Sequence, residues 1–231
     1  MRKQQQIWLE EHTNKGTLPT MANIEPASGV VQFTDWLKEH DVSLSGKAVD
    51  IGAGKGRNST HLAKLGYEVW ALEYIEPALD AARQLAGQNN VAASIHFNLT
   101  EVDRSWNLDS NCFDAAIDSF SSIDIETREG RETCRDEMYR TLKPGGYALI
   151  TVCSAKDEWE KELIANHPGP EPNSTLWPQN GKFQKDYTEQ ELREFYDMFE
   201  IVELKTIQKP AFKLGREGTA TNLWLVMRKR Q

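Results

Sequence analysis

The sequence predicts an α/β domain: a mostly parallel sheet of seven strands, closed by a C-terminal antiparallel hairpin, with helices on both faces. Three observations predict it. An apolar run at residues 48–51, interrupted only by Asp50, enters a turn with glycines at 52, 54 and 56, and a helical pattern carrying Leu62 and Leu65 follows. Strand-like and helix-like segments then alternate as far as Val152. Two final strands, about 201–208 and 221–227, are joined by a glycine-containing loop.

A chain of 231 residues suits one domain with a full core and is short for two. Its net charge of -8 opposes the counterion release that drives nucleic-acid binding, and the only basic run is at residues 228–230. A small-molecule or protein partner is therefore expected, with no nucleic acid and no membrane. Cys112, Cys134 and Cys153 are too dispersed for a Cys-x-x-Cys metal pair and odd in number for a disulfide framework, so they read as small buried hydrophobes and no metal is expected. The polar start, residues 1–12, lacks the apolar core of a signal peptide, and no apolar stretch approaches membrane-spanning length. A cytoplasmic protein is expected.

The chemistry centres on the glycine turn. Glycines allow unusual backbone angles and let a ligand approach the main chain, while the unpaired N–H groups at the helix start present positive potential. The dinucleotide pattern G-x-G-x-x-G would need its third glycine where Arg57 stands, which disfavours NAD. A second strand follows Gly66 and ends in Glu73, roughly 20 residues beyond Gly52, the interval at which an acid reaches ribose hydroxyls in nucleotide-binding βαβ units.

The other elements follow in order. Residues 1–26 begin with a short helix and continue in a turn-rich stretch from Thr13 to Pro26, either a frayed terminus or a flap over a site that would involve Trp8, His12 and Met21. Val30, Phe33 and Leu37 set a helix from Ser28. Pro77 opens the helix after Glu73 and Gly87 closes it. Residues 93–97 read as the third strand and 111–118 as the fourth. Cys134, Met138 and Leu142 form the core stripe of a helix stopped by Pro144, and the fifth strand runs over 147–152. From 154 to 187 the rhythm lapses, with residues 167–181 dense in proline and glycine, and this reads as an insertion on the substrate side. Thr188 and Glu191 form a capping box ahead of Leu192, Phe195 and Phe199 at helical spacing.

The order Val49-Asp50-x-Gly52-x-Gly54-x-Gly56 resembles motif I of the class I S-adenosylmethionine-dependent methyltransferases. The Leu142-Lys143-Pro144-Gly145-Gly146 turn into an apolar strand is a second point of resemblance, and Asn111-Cys112-Phe113-Asp114 is similar to the family's Ser-Phe-Asp pattern. The continuation through Leu-Ala-Lys-Leu-Gly-Tyr-Glu-Val also looks like small members such as the tellurite-resistance methyltransferases. The resemblance implies a Rossmann-like fold and S-adenosylmethionine as cofactor, with S-adenosylhomocysteine as product. It places the backbone of Gly52, Gly54 and Gly56 against the cofactor, with Asp50 bracing the turn and Arg57 or Asn58 at the methionine end. Glu73, followed by Tyr74, is at the ribose, Glu101 or Val102 at the adenine with Asp103 as the competing choice, and Asp118 beside the methionine part or the transferring methyl. Ser119-Phe120-Ser121-Ser122 departs from the Asn/Asp-Pro-Pro-Tyr signature of amide and exocyclic-amine methyltransferases.

These readings give one domain: residues 1–44 as flap and helix, 45–153 as cofactor core, 154–187 as insertion, and 188–231 as C-terminal helix and hairpin. The expected reaction is in-line transfer of a methyl group to a small-molecule acceptor, helped mainly by positioning. A general base is needed only for a hydroxyl or protonated amine, for which His12, His167 or Asp118 could serve, while Trp177 and Tyr187 are candidate acceptor contacts. The alternatives are a catalytically silent cofactor-binding regulatory protein and a protein methyltransferase.

Overall fold

The computed structural model describes residues 1–13 and 23–231. After α1 (Lys3–Thr13) and α2 (Ser28–Glu39), the chain alternates β1 (Gly46–Ile51), α3 (Arg57–Leu65), β2 (Tyr67–Glu73), α4 (Glu76–Gln88) and β3 (Ile95–Leu99). It continues through β4 (Phe113–Ser119), α5 (Arg128–Thr141) and β5 (Leu142–Cys153). Then come α6 (Glu158–Asn166), β6 (Ser174–Leu176), β7 (Phe183–Lys185), α7 (Glu189–Phe195), β8 (Glu200–Lys213) and β9 (Arg216–Arg228). The main sheet has the order β3-β2-β1-β4-β5-β9-β8. Its first five strands pair in parallel, and β9 pairs antiparallel with both β5 and β8.

Alternate residues of the central strands feed two cores, as a pleat requires. Val49 and Ile51, with Ala148, Ile150 and Val152, pack against Cys134, Met138 and Leu192. On the opposite face Ala48, Ile117 and Leu149 pack against Val30, Phe33, Trp36 and Leu37 of α2 and Leu62 of α3. Helices therefore cover both faces, and the carboxyl ends of the parallel strands meet at one edge.

Several boundaries differ from the sequence expectation for local reasons. Gly87 lies inside α4, and the left-handed residue that ends it is Asn90, at φ 58°. The third and fourth strands start two residues late, at Ile95 and Phe113. α5 ends at Thr141, ahead of Pro144, because proline disfavours the helical conformation of the residue before it; Leu142 is buried as the first residue of β5. Phe199 lies beyond α7, which closes at Tyr196. β8 and β9 run well past the predicted strands to a two-residue turn at Leu214 and Gly215, at φ 52° and 77°.

The insertion is structured. Asp157 caps α6 by accepting the Trp159 and Glu160 amides at 2.9 and 3.2 Å, and its other oxygen accepts the Thr221 N–H at 2.5 Å. β6 and β7 form a short antiparallel pair. Gln4 of α1 pins that pair to the body: its side-chain amide donates to the Phe183 and Asp124 carbonyls and accepts the Phe183 N–H, each at 3.0 Å. The covering element ahead of the fold is thus α1 itself. Most of the turn-rich stretch, including Gly16, Pro19 and Met21, lies outside the described residues.

Candidate functional site

The carboxyl ends of β1 to β5 open on a cavity of about 830 Å³, roofed by residues of α1, α6, the β6–β7 pair and the β8–β9 turn. It lies where β1 stands between β2 and β4, the crevice at which doubly wound sheets bind ligands.

The three turn glycines all have positive φ, but for different reasons. A Cβ on Gly52 would lie 1.8 Å from Ser121 Oγ, and one on Gly56 would lie 2.6 Å from the Ala82 Cβ. Gly56 therefore serves the packing of α3 on α4 and, contrary to expectation, does not line the cavity. Only beside Gly54 is there room: a Cβ there would meet His12 Cε1 at 3.8 Å and no other described atom within 4 Å. Gly54 is the open point of the cradle.

Two buried acids set the turn. Asp50 accepts the Ser59 hydroxyl at 2.5 Å, tying the end of β1 to the first turn of α3. Burial pushes its pKa up to about 6 against that hydrogen bond. It braces the turn from beneath and is not on the cavity wall. Glu73 accepts the Gly54 N–H at 2.9 Å through one oxygen and the Tyr74 and Ile75 amides at 2.8 and 2.9 Å through the other. Burial raises its pKa and the three amides oppose that. A carboxylate offers about four lone-pair sites, so Glu73 keeps roughly one for a ligand hydroxyl.

The wall near this turn includes Arg57, Asn58, Tyr74, Glu101, Val102 and Asp103. Burial lowers the Arg57 pKa, and the Asn58 side-chain carbonyl accepts the Ala27 N–H at 2.9 Å. Arg2 pairs with Asp103 and, at 3.6 Å, with Glu101. All three residues offered for the adenine end thus line the cavity.

The three candidates for proton transfer separate. His12 lines the cavity, and its pKa falls to about 4 through burial and the Lys55 charge. Asp118 is fully buried behind the wall: one oxygen accepts the Ser121 and Ser122 amides at 2.9 and 3.2 Å, and burial raises its pKa. It shapes the turn after β4 and does not face the cavity, which corrects the sequence reading. His167 is exposed after α6 and also lies off the wall. His167 is the C-cap of α6, and its carbonyl accepts the Leu176 N–H and the Thr175 hydroxyl. Tyr187 is buried and off the wall, whereas Trp177 lines it.

Of the far end of the cavity, the sequence offered only Trp8, in a flap, and Trp177, as an acceptor contact. Lys182, Asp124, Trp159, Glu160, Gln184 and Lys213 join Trp8 and Trp177 there. The Lys182 ammonium lies 4.6 Å from the Trp8 ring and 4.8 Å from the Trp177 ring, and 3.5 Å from Asp124 Oδ1. Burial pushes the Asp124 pKa up to about 6, opposed by Lys182. Phe120, on the same wall, sits at φ 62°, an uncommon conformation for a residue with a side chain. The Asp157 cap and the Trp159/Leu163 spacing were the available signal for α6, but nothing local linked Lys182 to Trp8.

A family profile described as a methyltransferase domain matches residues 48–146. The chain is 26% identical to human EEF1A lysine methyltransferase 2 over 57% of its own length and 56% of that protein. The chain spans about half the length of this and other curated relatives. Among solved structures, a methyltransferase from Methanosarcina mazei superposes with a TM-score of 0.72 at 20% identity, covering 84% of this chain and 97% of that one. The 1,6-didemethyltoxoflavin-N1-methyltransferase of Burkholderia thailandensis, crystallised with its substrate and S-adenosylhomocysteine, gives 0.63 at 21% identity, covering 88% and 79%.

Proposed function

We propose, from the premise that this chain carries the methyltransferase domain of the class I S-adenosylmethionine-dependent family, that it methylates a small-molecule acceptor at the end of the cavity lined by Trp8 and Trp177. The observation that carries this reading is the continuity of the cavity. One space runs from Gly54 and Glu73 to the tryptophan-lined end beneath α1 and the insertion.

The residues at the turn suit the cofactor. The room beside Gly54 admits a ligand against the main chain, Arg57 supplies charge for a carboxylate, and Glu73 retains an acceptor site for a sugar hydroxyl. When bound, S-adenosylmethionine supplies an activated sulfonium methyl. The chain's own contribution is then placement and exclusion of water: Trp8 from α1 and Trp177 from the insertion close over the acceptor end. His12 is a neutral imidazole at pH 7 but a weak base at a pKa of about 4, so an acceptor already carrying its lone pair is favoured.

Incubation with methyl-labelled cofactor tests the proposal. Label is expected in small metabolites, with stoichiometric S-adenosylhomocysteine. Label in protein alone would favour the lysine-methyltransferase reading suggested by the human relative, and binding without any transfer would favour a silent cofactor-binding protein.

A further inference from the structure

Of the acids at the acceptor end, Glu160 and Asp157 are engaged elsewhere and Asp124 faces Lys182. Glu160 holds Lys213 with one oxygen and accepts the Gln184 side-chain amide at 3.1 Å with the other. Asp157 accepts three main-chain amides. Lys182 is the exception. It is 4% exposed, its ammonium lies near the Trp8 and Trp177 rings, and its ion pair with Asp124 Oδ1 spans 3.5 Å, long for a hydrogen bond. An ammonium has three donors, and indole faces attract it without accepting them in line. A buried cation with unused donors is costly unless something completes its shell.

The missing partner must therefore be an acceptor of hydrogen bonds and preferably an anion, while the flanking indoles favour a flat, apolar body. A second ammonium is disfavoured, because Lys182 and Lys213 lie 4.8 and 4.6 Å from the same Trp177 ring and would repel it. We propose that Lys182 is the specificity residue of the acceptor site and that the acceptor is a planar aromatic acid, its anionic oxygen on Lys182 and its ring against Trp8 and Trp177. This rests on the reading of the tryptophan-lined end as the acceptor chamber.

Calorimetric titration with three naphthalene probes of matched shape tests it: 2-naphthoate, its methyl ester and 2-naphthylmethylamine, each with and without S-adenosylhomocysteine. The acid is expected to bind about tenfold or more tightly than the ester, and the amine most weakly. Lys182→Met, which keeps much of the stem, is expected to remove the preference for acid over ester and to leave S-adenosylhomocysteine affinity unchanged. Preference for the amine, equal affinities, no binding of any probe, or a preference that survives in Lys182→Met would overturn the proposal. If the variant does not fold, the wild-type ranking decides alone. Failure of S-adenosylhomocysteine to bind, with the acid preference intact, would contradict the methyl-transfer reading and leave the Lys182 site standing.

Discussion

The Gly54 N–H donates to the Glu73 carboxylate at 2.9 Å, so the open glycine of the first turn and the acid at the end of the second strand form one unit. The same carboxylate holds the Tyr74 and Ile75 amides at the start of α4. Glu73→Ala is expected to weaken S-adenosylhomocysteine binding by about 1 to 3 kcal/mol, the range for losing a buried charged hydrogen-bond partner. Glu73→Gln should lose less, since its carbonyl still accepts. Calorimetry on folded variants checks this, and an unchanged dissociation constant for Glu73→Ala would remove the ribose assignment.

Gly54 and Gly56 should respond differently to alanine. Both pay the left-handed backbone cost of about 1 to 2 kcal/mol, but only Gly56→Ala also drives a methyl group to 2.6 Å from Ala82. Overpacking adds roughly 1 to 3 kcal/mol, so Gly56→Ala is the less stable in chemical denaturation. Gly54→Ala should fold and lose cofactor affinity.

Asp50 gives a pH signature of definite sign. Its folded pKa, about 6, lies above the ordinary carboxylate value, so the folded chain holds the proton more tightly. That contribution to stability is complete below about pH 4 and is lost as pH rises through about 6. Asp50→Asn has no such term. The stability difference should therefore move in favour of the variant between pH 4 and 7, by on the order of 2 to 3 kcal/mol. Urea unfolding at several pH values reads it; a constant difference would contradict the assignment.

Gln4 is one attachment of the N-terminal segment, beside the Arg2–Asp103 pair and the Glu11–Asn180 bond. Gln4→Ala leaves the Phe183 N–H without the acceptor it uses, a loss of about 1 to 3 kcal/mol confined to this contact. Faster hydrogen exchange at Phe183 and faster proteolysis of residues 1–13 are expected, with the melting of the sheet little changed.

The fold was legible because its cues are local. Glycines 52, 54 and 56, the Pro77 helix start and the Thr188–Glu191 capping box each fix a short segment, and their order fixes the topology. Beyond Trp8 and Trp177, the acceptor end was not legible because it is assembled from distant segments. Trp8 and Lys182 are brought together by bonds between α1 and the insertion, Gln4–Phe183 and Glu11–Asn180, and no periodicity encodes a contact between chain regions so far apart. His167 and Asp118 were misplaced for a related reason: residue type and loop position do not tell which way α6 or the turn after β4 points. The distinction between Gly54 and Gly56 required Ala82, which belongs to another helix.

On the proposed reading, the crevice at the carboxyl end of β1, between β2 and β4, holds S-adenosylmethionine rather than a dinucleotide. Titration of the wild-type protein with S-adenosylhomocysteine and, separately, with NADH tests it most directly. One S-adenosylhomocysteine per chain and no heat from NADH is the predicted result; binding of NADH with none of S-adenosylhomocysteine would contradict the account.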